Sequence, residues 1–229
     1  FRKDCAGKRV ILHTSCFHRF DETRECIDSF DKMSNNNIHH VVVLGAKETL
    51  SENDLPLTLD YDGLYLRVPA ADTYEHLHRK LFYAYMLFDL LTEPEMVIKI
   101  DDDLILDDGD AFRGLLDHVR DEKAAYAGRR LGAPRHEMQW HGWHIDKCAD
   151  PNIHRRGYQY PLPRDYAAGG YGYILAPEGL AACSYMYLAM KAFFDLPSVG
   201  LEDAYVGHAA FASQIELLDV SDKPSFLTL

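Results

Sequence analysis

The sequence predicts an α/β fold in which parallel strands form one sheet between helices. Three observations support this class. Short β-branched apolar segments alternate with segments of helical periodicity, an acidic triplet follows one of the strand-like segments, and 229 residues suffice for a large core. In open sheets of this class, ligands bind beyond the carboxyl ends of the strands. The triplet lies at such an end, so we expect a functional site there.

Four segments are predicted to form strands, because each is short, apolar and bounded by polar residues, glycine or proline. They are residues 8–15 (KRVILHTS), 38–46 (IHHVVVLGA), 64–69 (LYLRVP) and 95–100 (EMVIKI). We expect Pro69 to end the third strand, since proline lacks the N–H group that a strand ladder needs.

The clearest predicted helix covers residues 73–91, where apolar residues recur at intervals of three or four. Asp72 is its expected N-cap, and Glu75, three residues later, completes the capping-box pattern. Helical spacing also occurs at residues 19–33, 178–192 and 202–212. After about residue 120 the chain is rich in glycine, proline, histidine and aromatic residues, so we expect loops and short strands rather than a second core.

Charge and composition exclude several classes of protein. The net charge of -12, from 24 basic and 36 acidic residues, argues against a nucleic-acid-binding surface, which needs a basic face. The five cysteines are an odd number without a CxxC pair, which argues against a zinc ribbon and leaves one or two disulfides open. P-loop, GxGxxG and GxSxG patterns do not occur, so nothing indicates a kinase, dehydrogenase or α/β-hydrolase.

No segment of the sequence predicts a membrane span or a signal peptide. The longest apolar run falls short of the roughly 18 residues that a bilayer requires, and Asp89 interrupts it. The chain begins with Phe1 instead of Met, so a longer parent protein, with an anchor outside this chain, stays an open expectation.

The acidic triplet consists of Asp101, Asp102 and Asp103, directly after the apolar segment MVIKI. Divalent cations such as Mn²⁺ and Mg²⁺ prefer carboxylate oxygens and complete their shell with phosphates and water. The alternative is an acidic turn whose aspartates accept hydrogen bonds from nearby backbone. Because packed apolar residues precede the triplet and would hold its carboxylates firmly, the pattern favours a metal site.

Two further patterns each allow a functional and a purely structural interpretation. Glu202 and Asp203 open a helical segment, where they indicate either a general base or acidic residues favoured by the helix dipole. Gly169 and Gly170 lie within YAAGGYGY, residues 166–173. These glycines permit either close approach of a ligand to the backbone, beside rings that stack on sugars, or a tight turn.

The histidines of HEMQWHGWH, residues 136–144, do not match a zinc-protease site. His136 and His141 are five positions apart, so on a helix they would lie on different faces. His136 and His144 stay candidates for contact with a substrate.

With these residues in view, the order of motifs resembles glycosyltransferase family 31, the superfamily of β-1,3-galactosyltransferases, β-1,3-N-acetylglucosaminyltransferases and fringe enzymes. Residues 72–106 are similar to that family's D-x-Y-x-N-L-x-x-K and K-x-DDD-x-F patterns, residues 160–173 to its YPxYxxGxGY segment, and residues 202–207 to its EDVyvG segment. The matching positions are Tyr74, Leu77, Lys80, Lys99, Asp101, Asp102, Asp103, Tyr160, Pro161, Tyr166, Gly169, Gly170, Tyr173, Glu202, Asp203, Tyr205, Val206 and Gly207.

The chain also departs from the family pattern. Asp28 stands where the family has a second arginine, the usual tryptophan of that stretch is absent, and His76 replaces an asparagine. No histidine follows His208, although fringe-like members place a metal-binding histidine near their C-terminus. The resemblance therefore leaves the third protein ligand of a metal unassigned.

The resemblance implies a single catalytic domain over residues 1–229 with a GT-A type glycosyltransferase fold, built on a central mixed, mostly parallel sheet flanked by helices. Residues 1–110, approximately, would form a nucleotide-binding half, and residues 111–229 an acceptor-binding half. The implied activity is inverting transfer of galactose or N-acetylglucosamine from a UDP-sugar to an acceptor sugar hydroxyl, forming a β-1,3 linkage. Such an enzyme works on a glycan or glycoprotein, either in the cytoplasm or in the Golgi lumen.

The resemblance and the residue chemistry together assign expected roles. Asp203 is the expected general base, with Glu202 second, and Asp103 and Asp101 are expected to hold Mn²⁺ or Mg²⁺. The residues expected to bind the nucleotide-sugar are Thr14, Ser15, Arg24, Lys80, Asp101, Asp102, Gly169 and Gly170. The residues expected to bind the acceptor are Tyr171, Trp140 and His144.

Two other classes of function stay open at this point. A metal-dependent phosphohydrolase or nuclease also uses clustered carboxylates, with water as the nucleophile and often two metal ions. A sugar-binding module without catalysis would keep the fold alone. Transfer of sugar, release of free sugar, or binding without turnover would separate the three.

Overall fold

The computed structural model describes residues 1–33, 37–46, 60–132, 147–150, 165–196, 202–223 and 227–228. Within these residues the strands are β1 (Arg9–Thr14), β2 (Ile38–Ala46), β3 (Asp60–Tyr61), β4 (Tyr65–Ala71), β5 (Met96–Asp101), β6 (Ile105–Leu106), β7 (Tyr126–Gly128), β8 (Arg130–Gly132), β9 (Asp165–Ala167), β10 (Tyr173–Leu175), β11 (Leu217–Asp219) and β12 (Leu227–Thr228). The helices are α1 (Arg2–Cys5), α2 (Phe20–Met33), α3 (Leu77–Leu91), α4 (Gly109–Asp121), α5 (Pro177–Ala189), α6 (Lys191–Phe194) and α7 (Glu202–Ala212).

The main sheet has the strand order β11-β7-β10-β5-β1-β2-β4-β3. Strand β1 pairs in parallel with β2 and β5, and β2 pairs in parallel with β4. Strands β10 and β3 run antiparallel to their neighbours. Two small two-stranded sheets, β6 with β12 and β8 with β9, complete the described strands. The predicted fold class, a central mixed and mostly parallel sheet flanked by helices, is therefore confirmed.

Both faces of the main sheet are buried. Val10 and Leu12 of β1 pack with α3, α5 and α7, whereas Ile11 packs on the opposite face with α2 and α4. On β5, Val97 and Ile98 divide between the two faces in the same way. Burial on both faces explains why these strands are continuous apolar segments rather than alternating ones.

The helices differ in how far they are buried. In α4 the buried residues fall on one face, and the Asp108 carboxylate accepts hydrogen bonds from the backbone N–H groups of Asp110 and Ala111 at its N-terminus. In α7 most residues are buried, including its first residue, Glu202. The chain thus carries one buried carboxylate, Glu202, into the interior at the start of α7.

The third predicted strand is longer than expected. It spans Tyr65–Ala71, so the prediction that Pro69 ends the strand is wrong. The pairing of β2 with β4 shifts register between Leu44 and Ala46, and no residue of β2 pairs with Pro69. Proline is tolerated at such an irregularity because no ladder N–H is required there.

The predicted capping box at Asp72 and Glu75 is also wrong. Tyr74–His76 form a 3-10 turn whose N-cap is Thr73, and α3 begins only at Leu77. The carboxylate of Asp72 instead accepts hydrogen bonds from the backbone N–H groups of Phe17 and Gly45. The carboxylate of Glu75 accepts from the N–H groups of residues 149 and 150.

The other predicted helices agree with the structure, apart from one break. The segment predicted at residues 178–192 is interrupted at Met190, where α5 ends and α6 begins. No helix in the described part of the chain has both the length and the apolar character needed to cross a membrane.

Candidate active site

The acidic triplet lies at the edge of the sheet where β1 and β5 end. Because β1 and β5 are parallel and in register, Thr14 is paired with Asp101. Asp101 is the last residue of β5, and Asp102 and Asp103 form the turn that follows. This edge is the position at which open α/β sheets bind ligands.

The three aspartates have different environments. Asp101 is half-buried, Asp102 is buried and Asp103 is exposed. The Arg19 guanidinium lies 3.2 Å from Asp102 and 3.4 Å from Asp103, so one cation compensates two of the carboxylates. Burial raises the pKa of the Asp102 carboxyl, against the lowering effects of the Ser15 hydroxyl and Arg19.

Hydroxyl groups from the end of β1 and the start of α2 surround Asp102. The hydroxyl oxygens of Ser15 and Thr23 are 2.6 Å apart, and Thr23 lies 3.5 Å from Asp102 Oδ2. The Thr14 hydroxyl is buried and has no hydrogen-bond partner among the described residues. A buried polar atom without a partner is costly, so Thr14 is suited to contact a bound ligand.

Lys99 connects the triplet to a second group of carboxylates. Its side chain is 1% exposed, and its ammonium lies 2.6 Å from Asp101 Oδ1, 3.0 Å from Glu202 Oε1 and 3.2 Å from the Gly169 carbonyl oxygen. Burial alone would lower the pKa of Lys99, but the charges of Asp101 and Glu202 hold it above its usual value. Lys99 is therefore a charged lysine inside the protein.

Glu202 and Asp203 form the second group, at the first turn of α7. Burial raises the pKa of Glu202 to about 7, with Lys99 opposing the shift and Asp203 adding to it. Burial also raises the pKa of Asp203. The two carboxylate oxygens of Asp203 accept hydrogen bonds from the N–H groups of Gly169 and Ala204, each at 2.8 Å.

Gly169 is a glycine because its backbone packs directly on this pair. A Cβ at this position would lie 2.8 Å from Glu202 Oε1 and 3.2 Å from Asp203 Oδ2. Gly170 is exposed, and a Cβ there would meet nothing within 4 Å. The close approach expected at these glycines thus occurs at Gly169, towards the carboxylates. Approach of either glycine to a donor sugar stays a prediction.

Two tyrosines border the carboxylates. Burial raises the pKa of Tyr74, and the charges of Glu202, Asp203 and Asp101 add to the shift. Burial also raises the pKa of Tyr166, and the charges of Asp203 and Glu202 add to that shift. Both tyrosines occupy motif positions, but neither is among the residues expected to bind the donor or the acceptor.

Some expected site residues lie elsewhere or have other partners. The Lys80 ammonium, expected to bind the nucleotide-sugar, pairs with Asp72 at 3.0 Å and donates to the Ser15 carbonyl oxygen. Arg24 is exposed on α2, and the arginine that pairs with the triplet is Arg19. Trp140, His144 and His136 lie outside the described residues.

Tyr171, expected to bind the acceptor, follows the glycine pair and is 56% exposed. The guanidinium of Arg129 lies over its ring, 4.5 Å from the centroid. An exposed aromatic ring is compatible with stacking on a sugar.

The donor atoms at the triplet suit a divalent cation that shares its coordination with a ligand. Asp101 and Asp103 offer carboxylate oxygens, the type that Mn²⁺ and Mg²⁺ prefer, and such ions usually take only one or two carboxylates besides phosphates and water. No group of three or more His, Cys, Asp or Glu residues among the described parts of the chain is arranged to hold a metal ion. The residues therefore fit a shared site, not a closed protein cage.

Comparison with known proteins shows a distant similarity to solved structures. No protein-family model and no curated protein matches the sequence. Among solved structures, the apo form of mouse xyloside xylosyltransferase 1 aligns with 94% of this chain and 85% of its own length, at 10% sequence identity and a TM-score of 0.47. A similarity of this size does not indicate a function.

Proposed function

We propose that this chain is a metal-dependent, inverting glycosyltransferase of the GT-A type that transfers a sugar from a UDP-sugar to an acceptor hydroxyl. One observation carries the proposal. An acidic triplet at the carboxyl ends of β1 and β5 and a carboxylate pair on a separate helix meet around one lysine. The first group suits a metal-bound diphosphate and the second suits proton abstraction, the two functions that sugar transfer requires. The motif resemblance supports galactose or N-acetylglucosamine as the sugar and a β-1,3 linkage.

The triplet would bind the metal ion and the diphosphate of the donor. Asp101 and Asp103 would hold Mn²⁺, or Mg²⁺, which when bound stabilises negative charge on the departing diphosphate. The Thr14 hydroxyl, which has no hydrogen-bond partner within the described part of the chain, would contact the nucleotide together with Ser15 and Asp102. We propose no such contact for Lys80, whose ammonium is held by Asp72.

Asp203 is the better candidate for the general base. Glu202 is 5% exposed and forms an ion pair with Lys99, whereas Asp203 is half-buried and held by two backbone N–H groups. A raised pKa makes a carboxylate a stronger base. Asp203 would take the proton of the acceptor hydroxyl as that oxygen bonds to the anomeric carbon. The bond from this carbon to UDP breaks on the opposite side, and its electron pair leaves with the diphosphate.

The experiment is a panel of UDP-sugars assayed with and without Mn²⁺, for the wild type and Asp203→Asn. We expect Mn²⁺-dependent transfer by the wild type, and turnover about 10²- to 10⁴-fold lower for Asp203→Asn, with UDP binding near normal. Asp107→Asn, an exposed aspartate beyond the triplet, is the matched control and should retain activity.

Three outcomes would contradict parts of the proposal. Asp203→Asn with most of its activity would remove Asp203 as the base. Release of free sugar without transfer would indicate a hydrolase, and binding without turnover would indicate a sugar-binding module.

A further inference from the structure

A single lysine stands between the two groups of carboxylates. Lys99 is a strand residue of β5 between apolar neighbours, and it is register-paired with Leu12 of β1 and Tyr173 of β10. Burying an ammonium is unfavourable unless it is paired and hydrogen-bonded, so an apolar side chain would be the simpler choice here. The arrangement of its partners indicates why a lysine is present.

The three donors of the ammonium are matched by three acceptors. These acceptors come from three elements: Asp101 at the end of β5, Glu202 at the start of α7 and the carbonyl of Gly169 in the turn after β9. The same Gly169 donates its N–H to Asp203. Lys99 therefore contacts Asp101 directly and is linked to Asp203 through one peptide turn.

We propose that Lys99 is a positioning residue that sets the metal-binding Asp101 and the base Asp203 at a fixed separation. This inference rests on the proposed function. The ammonium takes Asp101 Oδ1 and thereby fixes the direction in which its other oxygen points. By binding Glu202 and the Gly169 carbonyl, it also fixes the start of α7 and the turn that holds Asp203.

A purely structural role would differ in its consequences. If Lys99 only neutralised Glu202, removing both charges together would restore the protein in every respect. If Lys99 positions Asp101 and Asp203, removing both charges would restore folding but not the geometry of the site.

The test compares Lys99→Met, Lys99→Arg and the double variant Lys99→Met with Glu202→Gln. Thermal unfolding reports folding, and calorimetry reports Mn²⁺-dependent UDP binding. Steady-state assays report kcat and KM for the donor and acceptor. Arg79→Met is the matched control, because Arg79 is another buried cation, paired with Asp195 at 3.4 Å.

We expect the double variant to unfold near the wild-type temperature, to bind UDP with Mn²⁺ about tenfold more weakly, and to lose about 10²-fold in kcat. Lys99→Arg keeps the charge but not the donor geometry, so it should fold and show a smaller loss of the same kind. Arg79→Met should lower the unfolding temperature and leave Mn²⁺-dependent UDP binding unchanged.

The inference would be overturned if a folded variant, either the double variant or Lys99→Arg, bound UDP and turned over substrate like the wild type. Failure of both variants to fold would also overturn it, because Lys99 would then be required for folding itself. If the wild type transfers no sugar, the proposed function fails. In that case, calorimetric comparison of Mn²⁺-dependent UDP binding between the wild type and the Lys99 variants still tests the placement of Asp101.

Discussion

Three adjacent aspartates are stable at the end of β5 because two cations, one from the same strand and one from a distant part of the chain, lie beside them. Arg19 contacts Asp102 and Asp103, and Lys99 contacts Asp101. Mutual repulsion of the carboxylates is reduced at each residue separately, while Asp103 stays exposed to solvent. The triplet is thus held in place while one carboxylate is accessible to a ligand.

Gly169 provides a test at the scale of one methyl group. Gly169→Ala places Cβ against Glu202 and Asp203, so we expect a loss of about 1–3 kcal/mol in the free energy of unfolding, together with reduced turnover. Gly170→Ala, one position along, has open space and should change stability by less than about 0.5 kcal/mol. Denaturant unfolding of both variants checks this, and equal stabilities would refute the packing argument.

Glu202 should make stability depend on pH. Its carboxyl pKa is about 7 in the folded protein, against an ordinary value of 4.5 for glutamate, so the folded state binds the proton more tightly. This contribution to stability is complete below about pH 4.5 and is lost as the pH rises to about 7. Glu202→Gln removes the titration.

The measurement is the difference in unfolding free energy between the wild type and Glu202→Gln across that range. We expect the wild type to lose stability relative to Glu202→Gln as the pH rises, because the folded wild type then loses its tightly bound proton. A difference that stays constant from acid to neutral pH would show that the Glu202 pKa is not raised.

At the scale of elements, hydrogen bonds and an ion pair of Asp72 and Lys80 connect the ends of three strands. Asp72 directly follows β4 and accepts from Gly45, in β2, and from Phe17, just beyond β1. Lys80, on α3, pairs with Asp72 and donates to the Ser15 carbonyl. Asp72, the expected N-cap of a helix, instead connects the ends of three strands next to the site.

Asp72→Ala should therefore destabilise the protein by about 3–5 kcal/mol, because it leaves the buried ammonium of Lys80 without its carboxylate. Lys191→Ala breaks an exposed i,i+4 pair with Asp195 and should cost no more than about 0.5 kcal/mol. Chemical denaturation of both variants gives the comparison, and similar losses would refute the role assigned to Asp72.

At the scale of the whole molecule, the two-sided core keeps the strand ends together. Helices α3, α5 and α7 cover one face of the sheet, and α2 and α4 cover the other. Because β1 and β5 are neighbours, the hydroxyls after β1 and the carboxylates after β5 meet at one edge. A ligand bound there would contact several elements at once and stabilise the folded state.

UDP with Mn²⁺ should accordingly raise the temperature of unfolding. At a ligand concentration of about 100 times Kd the expected gain is about 2.7 kcal/mol, and Asp103→Asn should lose the Mn²⁺-dependent part. Asp107→Asn serves as the exposed control. Absence of any Mn²⁺-dependent shift in the wild type would contradict the metal site.

Much of the fold could be predicted because periodicity reports burial. The strands β1, β2 and β5 follow from short continuous apolar segments, which are typical of strands buried on both faces, and the helices α2 and α7 follow from helical spacing. Details at the ends of elements could not be predicted in this way. Asp72 has the sequence of a cap, but a stronger set of partners was supplied by residues distant in the chain.

The sequence by itself determined that an acidic triplet follows a buried strand and that a carboxylate pair opens a helix, because both are local patterns. Only the tertiary structure decided that these groups meet around Lys99. It also decided that Arg19 rather than Arg24 pairs with the triplet, and that Lys80 forms an ion pair with Asp72. The physical reason is that the pairing of charges depends on distance in space. That distance is set by strand order and register, which local spacing does not encode.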